Sequence, residues 1–297
     1  MITSKAVLVN PSFASWSGQR QDKKVSREIE DSKGAKHGSG TYRKHLIDPE
    51  VPDLKAIREA ISQARQYHYT MTLPWGDDGS RLLSTVAFTE YMAKMGAFKS
   101  RIEQHAESFV QNYPAYKAIA KSQLNGLYDE SDYPTVESVR TKFGMRLKVN
   151  PVPDSNDLRI DIGADELARV RAMVEEETQK AVSSAIMDVL RRLKSCVDDM
   201  LSRLTAYAVD DKGKPQHPFR DSVVSNMQDL LEIVPKLNVT NDERINEITR
   251  QIRESLVAHS PQVLRDNHFT RQDVVARAAE LSKALEIMGV TDSPEEN

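Results

Sequence analysis

Apolar side chains recur at every third or fourth position through the second half of the chain. Between Asp165 and Tyr207 this period is unbroken, and no glycine or proline interrupts it. The pattern predicts a single α-helix about 60 Å long. Three shorter helices are predicted after it, at about 220–237, 242–257 and 271–288, the last capped by Thr270 with Asp273 and ended by Gly289. A helix of this length usually packs along a partner, either the following helices or a second subunit. We expect a homo-oligomer.

The first half of the chain contains short β-patterns. β-branched and apolar residues at 5–10 predict a strand that ends at a proline. Apolar and threonine residues alternate at 69–75 and precede a Gly-Asp-Asp-Gly turn, which predicts a β-hairpin over 69–84. A second hairpin is predicted over 145–162, where two alternating stretches flank a wide loop of proline, aspartate and asparagine.

Helical patterns separate these β-patterns. One helix is predicted at 53–68, one from Ser84 to a break at Pro114, and a short one at 135–142. The fold class is therefore α+β and mainly helical, with an N-terminal strand and two β-hairpins packed with a long-helix bundle. The predicted domains are an N-terminal strand with a basic arm (1–50), a mixed region (51–163), the bundle (164–290) and an acidic tail (291–297).

The net charge of −3 conceals an uneven distribution. Residues 1–47 hold nine Lys and Arg against four Asp and Glu, a balance of +5, so the other residues carry −8. Most of this positive charge lies in a glycine-dotted stretch at 15–45, called here the basic segment. Such asymmetry indicates a polyanionic partner. A solvated, partly disordered tail is the alternative.

The sequence contains no recognisable catalytic signature. The single cysteine, Cys196, cannot form an internal disulfide, and no Cys/His cluster suggests zinc. Residues 34–41, GAKHGSGT, lack the Gly-Lys-Thr ending of a phosphate-binding loop. No run of about 18 apolar residues predicts a membrane span. We therefore expect a cytoplasmic protein without enzymatic activity, metal, cofactor or membrane partner.

Single-stranded nucleic acid requires cations along its phosphates and aromatic faces for its bases. The basic segment contains both, and its glycines predict a flexible arm that orders on binding. A second basic patch lies at 139–148 and on the second predicted hairpin, although an ordinary solvated sheet face would look the same. The candidate binding residues are Trp16, Arg20, Lys23, Lys24, Arg27, Lys33, Lys36, Tyr42, Arg43, Lys44, Arg140, Lys142, Arg146, Lys148 and Arg159.

The overall layout resembles a known family. WSG at 16–18, YHYTMTLPWGDDGSRLL at 67–83, FGMRLKVNPVP at 143–153 and the long helical C-terminal half are similar to the single-stranded-DNA-binding RNA polymerase cofactors of Enquatro-type bacteriophages. The resemblance implies a phage protein in the host cytoplasm that binds single-stranded DNA without strong sequence preference. It also implies host RNA polymerase as a partner. The alternative is a helical assembly protein without a nucleic-acid function.

Overall fold

The computed structural model describes residues 2–158, 162–207, 217 and 219–290. The chain divides into two compact units, each assembled from separate segments. The first unit comprises Met1–Asn10, Met71–Thr89 and Lys148–Asn297, and the second comprises Pro11–Thr70 and Glu90–Leu147. The predicted boundary after residue 50 thus falls inside the second unit. The predicted acidic tail lies outside the described residues.

The described residues are mainly helical, with short antiparallel strands, which confirms the predicted α+β class. The strands are β1 (Ala6–Ala14), β2 (Gln19–Gln21), β3 (Arg43–His45), β4 (Leu73–Pro74), β5 (Arg81–Ser84) and β6 (Gly144–Pro151). The α-helices are α1 (Lys23–Ser32), α2 (Pro52–Met71), α3 (Thr85–Leu124), α4 (Val136–Arg140), α5 (Ala164–Ala206), α6 (Asp221–Leu237), α7 (Glu243–Ser255), α8 (Pro261–Asp266) and α9 (His268–Ile287). No helix in the described part of the chain is both long and apolar enough to cross a lipid bilayer.

Four strands form one sheet in the order β4-β5-β1-β6, and β2 pairs with β3 in a second sheet. The predicted hairpin over 69–84 is present as β4 and β5, with Leu73 opposite Leu82. Its first strand is shorter than predicted because α2 continues to Met71. β6 is the first strand of the second predicted hairpin, and its neighbour in the sheet is β1. The second strand of that prediction includes 159–161, which lie outside the described residues.

The C-terminal half of α5 forms the centre of the first unit. α5 confirms the predicted long helix, and it is described over its full length. None of its residues before Ala185 is buried. From there a stripe of apolar side chains packs with α6, α7 and α9 in one hydrophobic core. The buried apolar residues of α5 are Ala185, Val189, Leu190, Leu193, Val197, Met200 and Leu204.

The C-terminal helices differ from the prediction before and at the start of α9. A short helix, α8, precedes α9, and α9 begins at His268 rather than at residue 271. The side chain of Asn267 accepts the backbone N–H of Thr270 at 3.0 Å and caps α9. Asn267 therefore has the capping role predicted for Thr270. Gly289, with φ of +83°, follows the end of α9 as predicted.

Pro114 does not end the helix in which it lies, which corrects the prediction of a break there. α3 continues through it to Leu124. A proline inside a helix leaves one carbonyl without its N–H partner and costs about 3 kcal/mol. Tyr113 and Tyr116, on either side of the proline, offset this cost. The Tyr113 hydroxyl donates to the carbonyl of Pro134 at 3.0 Å.

The hydroxyl of Tyr116 connects α3 to the start of α2. It donates to the buried carboxylate of Asp53 at 2.7 Å, and the side-chain amide of Asn112 donates to the same oxygen at 3.2 Å. Burial raises the pKa of Asp53, but these hydrogen bonds outweigh it and lower the pKa below its usual value. Burial, together with this bond, raises the pKa of Tyr116 to about 12. These contacts fix α3 on both sides of its proline.

Candidate nucleic-acid interface

The basic segment is folded, which corrects the expectation of a flexible arm. Its central part is the helix α1. The carboxylate of Asp22 accepts the backbone N–H groups of Lys24 and Val25, each at 3.1 Å, and so caps the helix. The N–H of Val25 is the main cause that lowers the pKa of Asp22. A polar cap thus begins a helix that apolar periodicity did not predict.

The two ends of the basic segment are joined by main-chain and side-chain hydrogen bonds. β2 and β3 pair antiparallel, with Arg20 opposite Lys44. The backbone N–H of Tyr42 donates to the hydroxyl of Ser26 at 2.9 Å. The backbone N–H of Leu46 donates to the carbonyl of Gly18 at 2.6 Å. These bonds close residues 18–46 into one compact element.

Glu30 organises the glycine-rich loop that follows α1. Its buried carboxylate accepts the backbone N–H groups of Gly38 at 2.9 Å and Gly40 at 3.0 Å. The bond from Gly40 is the main cause that lowers the pKa of Glu30 below its usual value. A phosphate-binding loop would offer such amides to a phosphate. Here an internal carboxylate already occupies them.

Lys44 is buried, with only 5% of its side chain exposed. Its ammonium group lies 3.1 Å from Asp22, 2.7 Å from Asp132 and 2.6 Å from the carbonyl oxygen of Leu127. Burial lowers the pKa of Lys44, but the hydrogen bonds to Asp132 and Asp22 outweigh burial and raise it above its usual value. Because its charge is used inside the second unit, Lys44 is placed to hold the basic segment together rather than to contact a phosphate.

The structure brings three of the predicted binding residues to one cleft of the second unit. Trp16, Arg20 and Lys142 line a cavity of about 190 Å³, together with Asp132 and Tyr133. The Arg20 Nε lies 2.8 Å from Asp132, which holds the exposed guanidinium group at the cleft. Lys142 is half-buried and has no ion pair among the described residues. An aromatic ring and two cations therefore share one small cavity.

Trp16 is fixed in the wall of this cleft by aromatic packing. Its ring meets Phe109 at a centroid distance of 6.1 Å and an interplanar angle of 68°, and Tyr113 at 5.9 Å and 70°. Both neighbours approach edge to face, so neither stacks parallel on the indole. Trp16 is half-buried. The ring is therefore held rigidly while part of it stays open to a ligand.

The first two turns of α1 add positive charge beside the cleft. Lys23, Lys24 and Arg27 are exposed, and none has an ion pair among the residues that the structure describes. The N-terminus of a helix adds a partial positive charge of its own. Lys44 binds both Asp22, the cap of this helix, and Asp132, which lines the cleft. The cations at the start of α1 and those in the cleft are thus neighbours within the second unit.

The other candidate residues lie in varied surroundings. Lys33, Lys36 and Arg43 are exposed cations of the basic segment, and Tyr42 is half-buried. Arg140 forms an ion pair with Glu107.

On β6, Arg146 and Lys148 are exposed and Met145 is buried, as the alternation predicted, but Val149, on the same side of the alternation as Met145, is 41% exposed. Lys148 belongs to the first unit and Arg146 to the second. Arg159 lies outside the described residues. Nucleic-acid binding by this second basic patch stays a prediction.

Sequence reasoning missed the acids that shape this site. Glu30 fixes the loop from inside α1, a helix that was not predicted, and Asp132 shapes the cleft from the short 3-10 helix Glu130–Asp132. Tyr133 was also missed, and its buried hydroxyl donates to the carbonyl of Leu46 at 2.9 Å. The only available signal was the concentration of aromatic and acidic residues in YDESDYP at 128–134.

Comparisons with known proteins identified no relative of this chain. No family model, curated protein or solved structure matches the chain. The resemblance to the phage polymerase cofactors is therefore still a hypothesis based on the layout of the sequence.

Proposed function

We propose that the protein binds single-stranded DNA through the second unit, with little sequence preference and without catalysing a reaction. The observation that carries this proposal is the convergence of Trp16, Arg20 and Lys142 on one cleft. An unpaired base stacks on the open part of Trp16, and the two cations contact the phosphates on either side of it. Stacking tolerates any base, because every base has a flat aromatic face.

The first two turns of α1 extend this binding surface. Lys23, Lys24 and Arg27 provide cations that follow the strand beyond the cleft. Because Lys44 and Asp132 hold the cleft and α1 together, the strand meets a surface that is already ordered. Less conformational entropy is lost on binding than with a flexible arm. A duplex base pair cannot enter so small a cavity without unpairing.

The anisotropy of a labelled oligonucleotide tests this proposal. Unlabelled single strands should displace the label far more effectively than a duplex of the same sequence. Binding should weaken as salt rises, with a log–log slope of roughly −0.7 for each phosphate contacted.

Exchanging both Lys23 and Lys24 for alanine should make that slope shallower by about 1.4. The matched control is the double alanine variant of Lys5 and Lys283, two exposed lysines of the first unit. Equal competition by the duplex would contradict the proposal.

The phage resemblance extends the proposal to a biological role. In that role the protein is a transcription or replication accessory factor in the host cytoplasm, it assembles as a homo-oligomer, and host RNA polymerase is its protein partner. The support is the sequence layout alone. Co-purification of the tagged full chain with purified bacterial RNA polymerase, with and without single-stranded DNA, tests the partner.

A helical assembly protein is the second candidate function. The N-terminal half of α5 favours it, since that half has no buried residue. The same anisotropy titration separates the two candidates. An assembly protein would show no preference for the single-stranded oligonucleotide, even at low salt.

A further inference from the structure

The N-terminal half of α5, residues 164–184, has one weakly apolar face. Six residues of this segment are half-buried and none is buried: Val182, which lies about 80° from the centre of this face, and five on the face itself. We call these five the α5 stripe: Leu167, Val170, Val174, Thr178 and Ala181. At 3.6 residues per turn they lie within about 40° of a single line along the helix. Beside them, Met173 is 60% exposed.

The spacing of the α5 stripe is symmetric about its middle residue. Successive members are three, four, four and three residues apart, so the order of intervals is the same in both directions. Two copies of such a stripe fit when they run antiparallel, with a two-fold axis at Val174. In that arrangement Leu167 lies opposite Ala181 of the second copy, and Val170 lies opposite Thr178 of the second copy.

The sizes of the side chains favour the antiparallel arrangement over the parallel one. Antiparallel pairing places the large Leu167 opposite the small Ala181, with residues of intermediate size between them. The combined volume is then nearly constant along the interface, so two straight helices keep one spacing. Parallel pairing would place leucine opposite leucine at one end and alanine opposite alanine at the other, which leaves a gap.

The charges beside the α5 stripe fit the same arrangement. Arg171 and Glu175 lie on one side of it, and Glu166 and Lys180 lie on the other. In an antiparallel pair the same side of each copy is adjacent. Arg171 then lies about 3 Å along the axis from Glu175 of the second copy, and Lys180 lies at the same offset from Glu166 of the second copy. Arg171 and Glu175 take part in no ion pair among the described residues, whereas Lys180 is paired with Glu176 and Glu166 with Arg169 within α5.

Among like charges, the two copies of Glu175 come closest, about 3 Å apart along the axis, and Arg171 of each copy lies equally near to Glu175 of the other. Arg171 faces its own copy at an axial offset of about 9 Å, and Glu177 does the same on the opposite side. Physiological salt largely screens exposed charges at that distance.

We infer that the protein forms an antiparallel dimer through the α5 stripe, with the two-fold axis at Val174. This inference does not rest on the proposed DNA binding.

Disulfide trapping tests both the dimer and its direction. The chain has one cysteine, so Cys196→Ser gives a background without thiols. In that background Val174→Cys should cross-link to itself on mild oxidation. Leu167→Cys alone should not, but a mixture of Leu167→Cys and Ala181→Cys chains should cross-link. Ala172→Cys, on the opposite face of the helix, is the control.

Two results would overturn the inference. Self-cross-linking of Leu167→Cys as fast as Val174→Cys would indicate parallel pairing, and cross-linking no faster than the Ala172→Cys control would indicate no pairing. Light scattering of the unmodified protein at micromolar concentration should give twice the chain mass of 33.5 kDa. A single-chain mass would contradict the dimer.

A charge at the two-fold axis separates this inference from the proposed function. Val174→Asp should give a monomer with an unchanged far-ultraviolet circular dichroism spectrum, because the side chain is not buried in the chain's own core. Its affinity for a short oligonucleotide should stay within twofold of the unmodified protein, since the proposed cleft lies in the second unit. A Val174→Asp variant that stays dimeric would exclude the α5 stripe as the interface.

Discussion

The basic segment and the buried half of α5 are stabilised by opposite kinds of interaction. In α5, apolar side chains such as Leu193 and Met200 are removed from water against neighbouring helices. In the basic segment, buried charged groups such as Glu30 and Lys44 are matched by hydrogen bonds and by opposite charges. The comparison shows that a stretch too polar for a hydrophobic core can still fold when its few buried charges have partners.

The largest expected effect is the loss of a core side chain from α5. Leu193 is 1% exposed, and Leu193→Ala should destabilise the first unit by about 2–5 kcal/mol, because it removes buried apolar surface and leaves a cavity. Met173→Ala, on the same helix but exposed, should cost less than about 0.5 kcal/mol. Urea unfolding followed by the fluorescence of Trp75, in a Trp16→Phe background, measures both changes. Equal costs at the two positions would contradict the division of α5 into a half with buried residues and a half without them.

The corresponding change in the basic segment is Lys44→Ala. It removes the cation between two carboxylates, and it should destabilise the second unit by about 3 kcal/mol. We take the low end of the range for buried pairs because Asp22 and Asp132 are still 15% and 11% exposed. Fluorescence of Trp16 in a Trp75→Phe background reports the unfolding. Lys33→Ala, which removes an exposed cation of the same segment, should change stability by less than about 0.5 kcal/mol.

Trp16→Ala connects the fold of the basic segment to its proposed function. Loss of the stacking surface should weaken binding of a single-stranded oligonucleotide by about 1–3 kcal/mol. Fluorescence anisotropy measures the affinity, and circular dichroism checks that the variant is folded. Trp75→Phe in the first unit should leave the affinity unchanged. If both variants bind as tightly as the unmodified protein, the cleft is not a base-binding site.

The smallest expected effect is a local response to acid. The pKa values of Asp22 and Glu30 are held below their ordinary values of 3.8 and 4.5. A carboxyl group whose pKa is lowered by folding stabilises the fold above its unfolded-state pKa. This contribution is lost as the pH falls through the folded-state pKa. As the pH falls below about 4.5 the basic segment should therefore lose stability progressively, while the apolar half of α5 keeps its stability.

Hydrogen exchange at neutral pH and at about pH 3, corrected for the intrinsic exchange rate, measures this difference. Glu30→Gln should already increase exchange in the loop at 34–41 at neutral pH, since a neutral amide is a weaker acceptor for the two glycine N–H groups. An identical pH dependence in the basic segment and in α5 would show that the carboxylates do not determine the local stability.

The same contrast explains which parts of the fold the sequence could predict. The length of α5 and the hairpin of β4 and β5 follow from contacts between residues close in the sequence, so periodicity and turn residues predicted them. The helix α1 was missed because its cap and its packing are polar. The continuation of α3 past Pro114 was missed because the compensating bonds reach Asp53 and Pro134, far along the chain.

The candidate site could be predicted only in part. Residue type alone selected Trp16, Arg20 and Lys142, because aromatic and basic side chains are what single strands require. Their convergence on one cleft depends on Asp132, which lies more than a hundred residues after Arg20 in the sequence. Residue type also selected Lys44, whose burial depends on the same distant acid. Single-sequence patterns do not encode contacts of this kind.

The distant partners of Lys44 also determine when the basic segment can fold during synthesis. Lys44 donates to the carbonyl of a residue 83 positions later, and the hydroxyl of Tyr133 bonds to a residue 87 positions earlier. At ribosomal elongation rates, the segment waits on the order of ten seconds for these partners to emerge. During that interval the nascent chain presents its cations on an unstructured tether. On the ribosome, the nascent chain therefore exposes these cations in an unfolded segment, and nearby RNA can contact them before the segment folds.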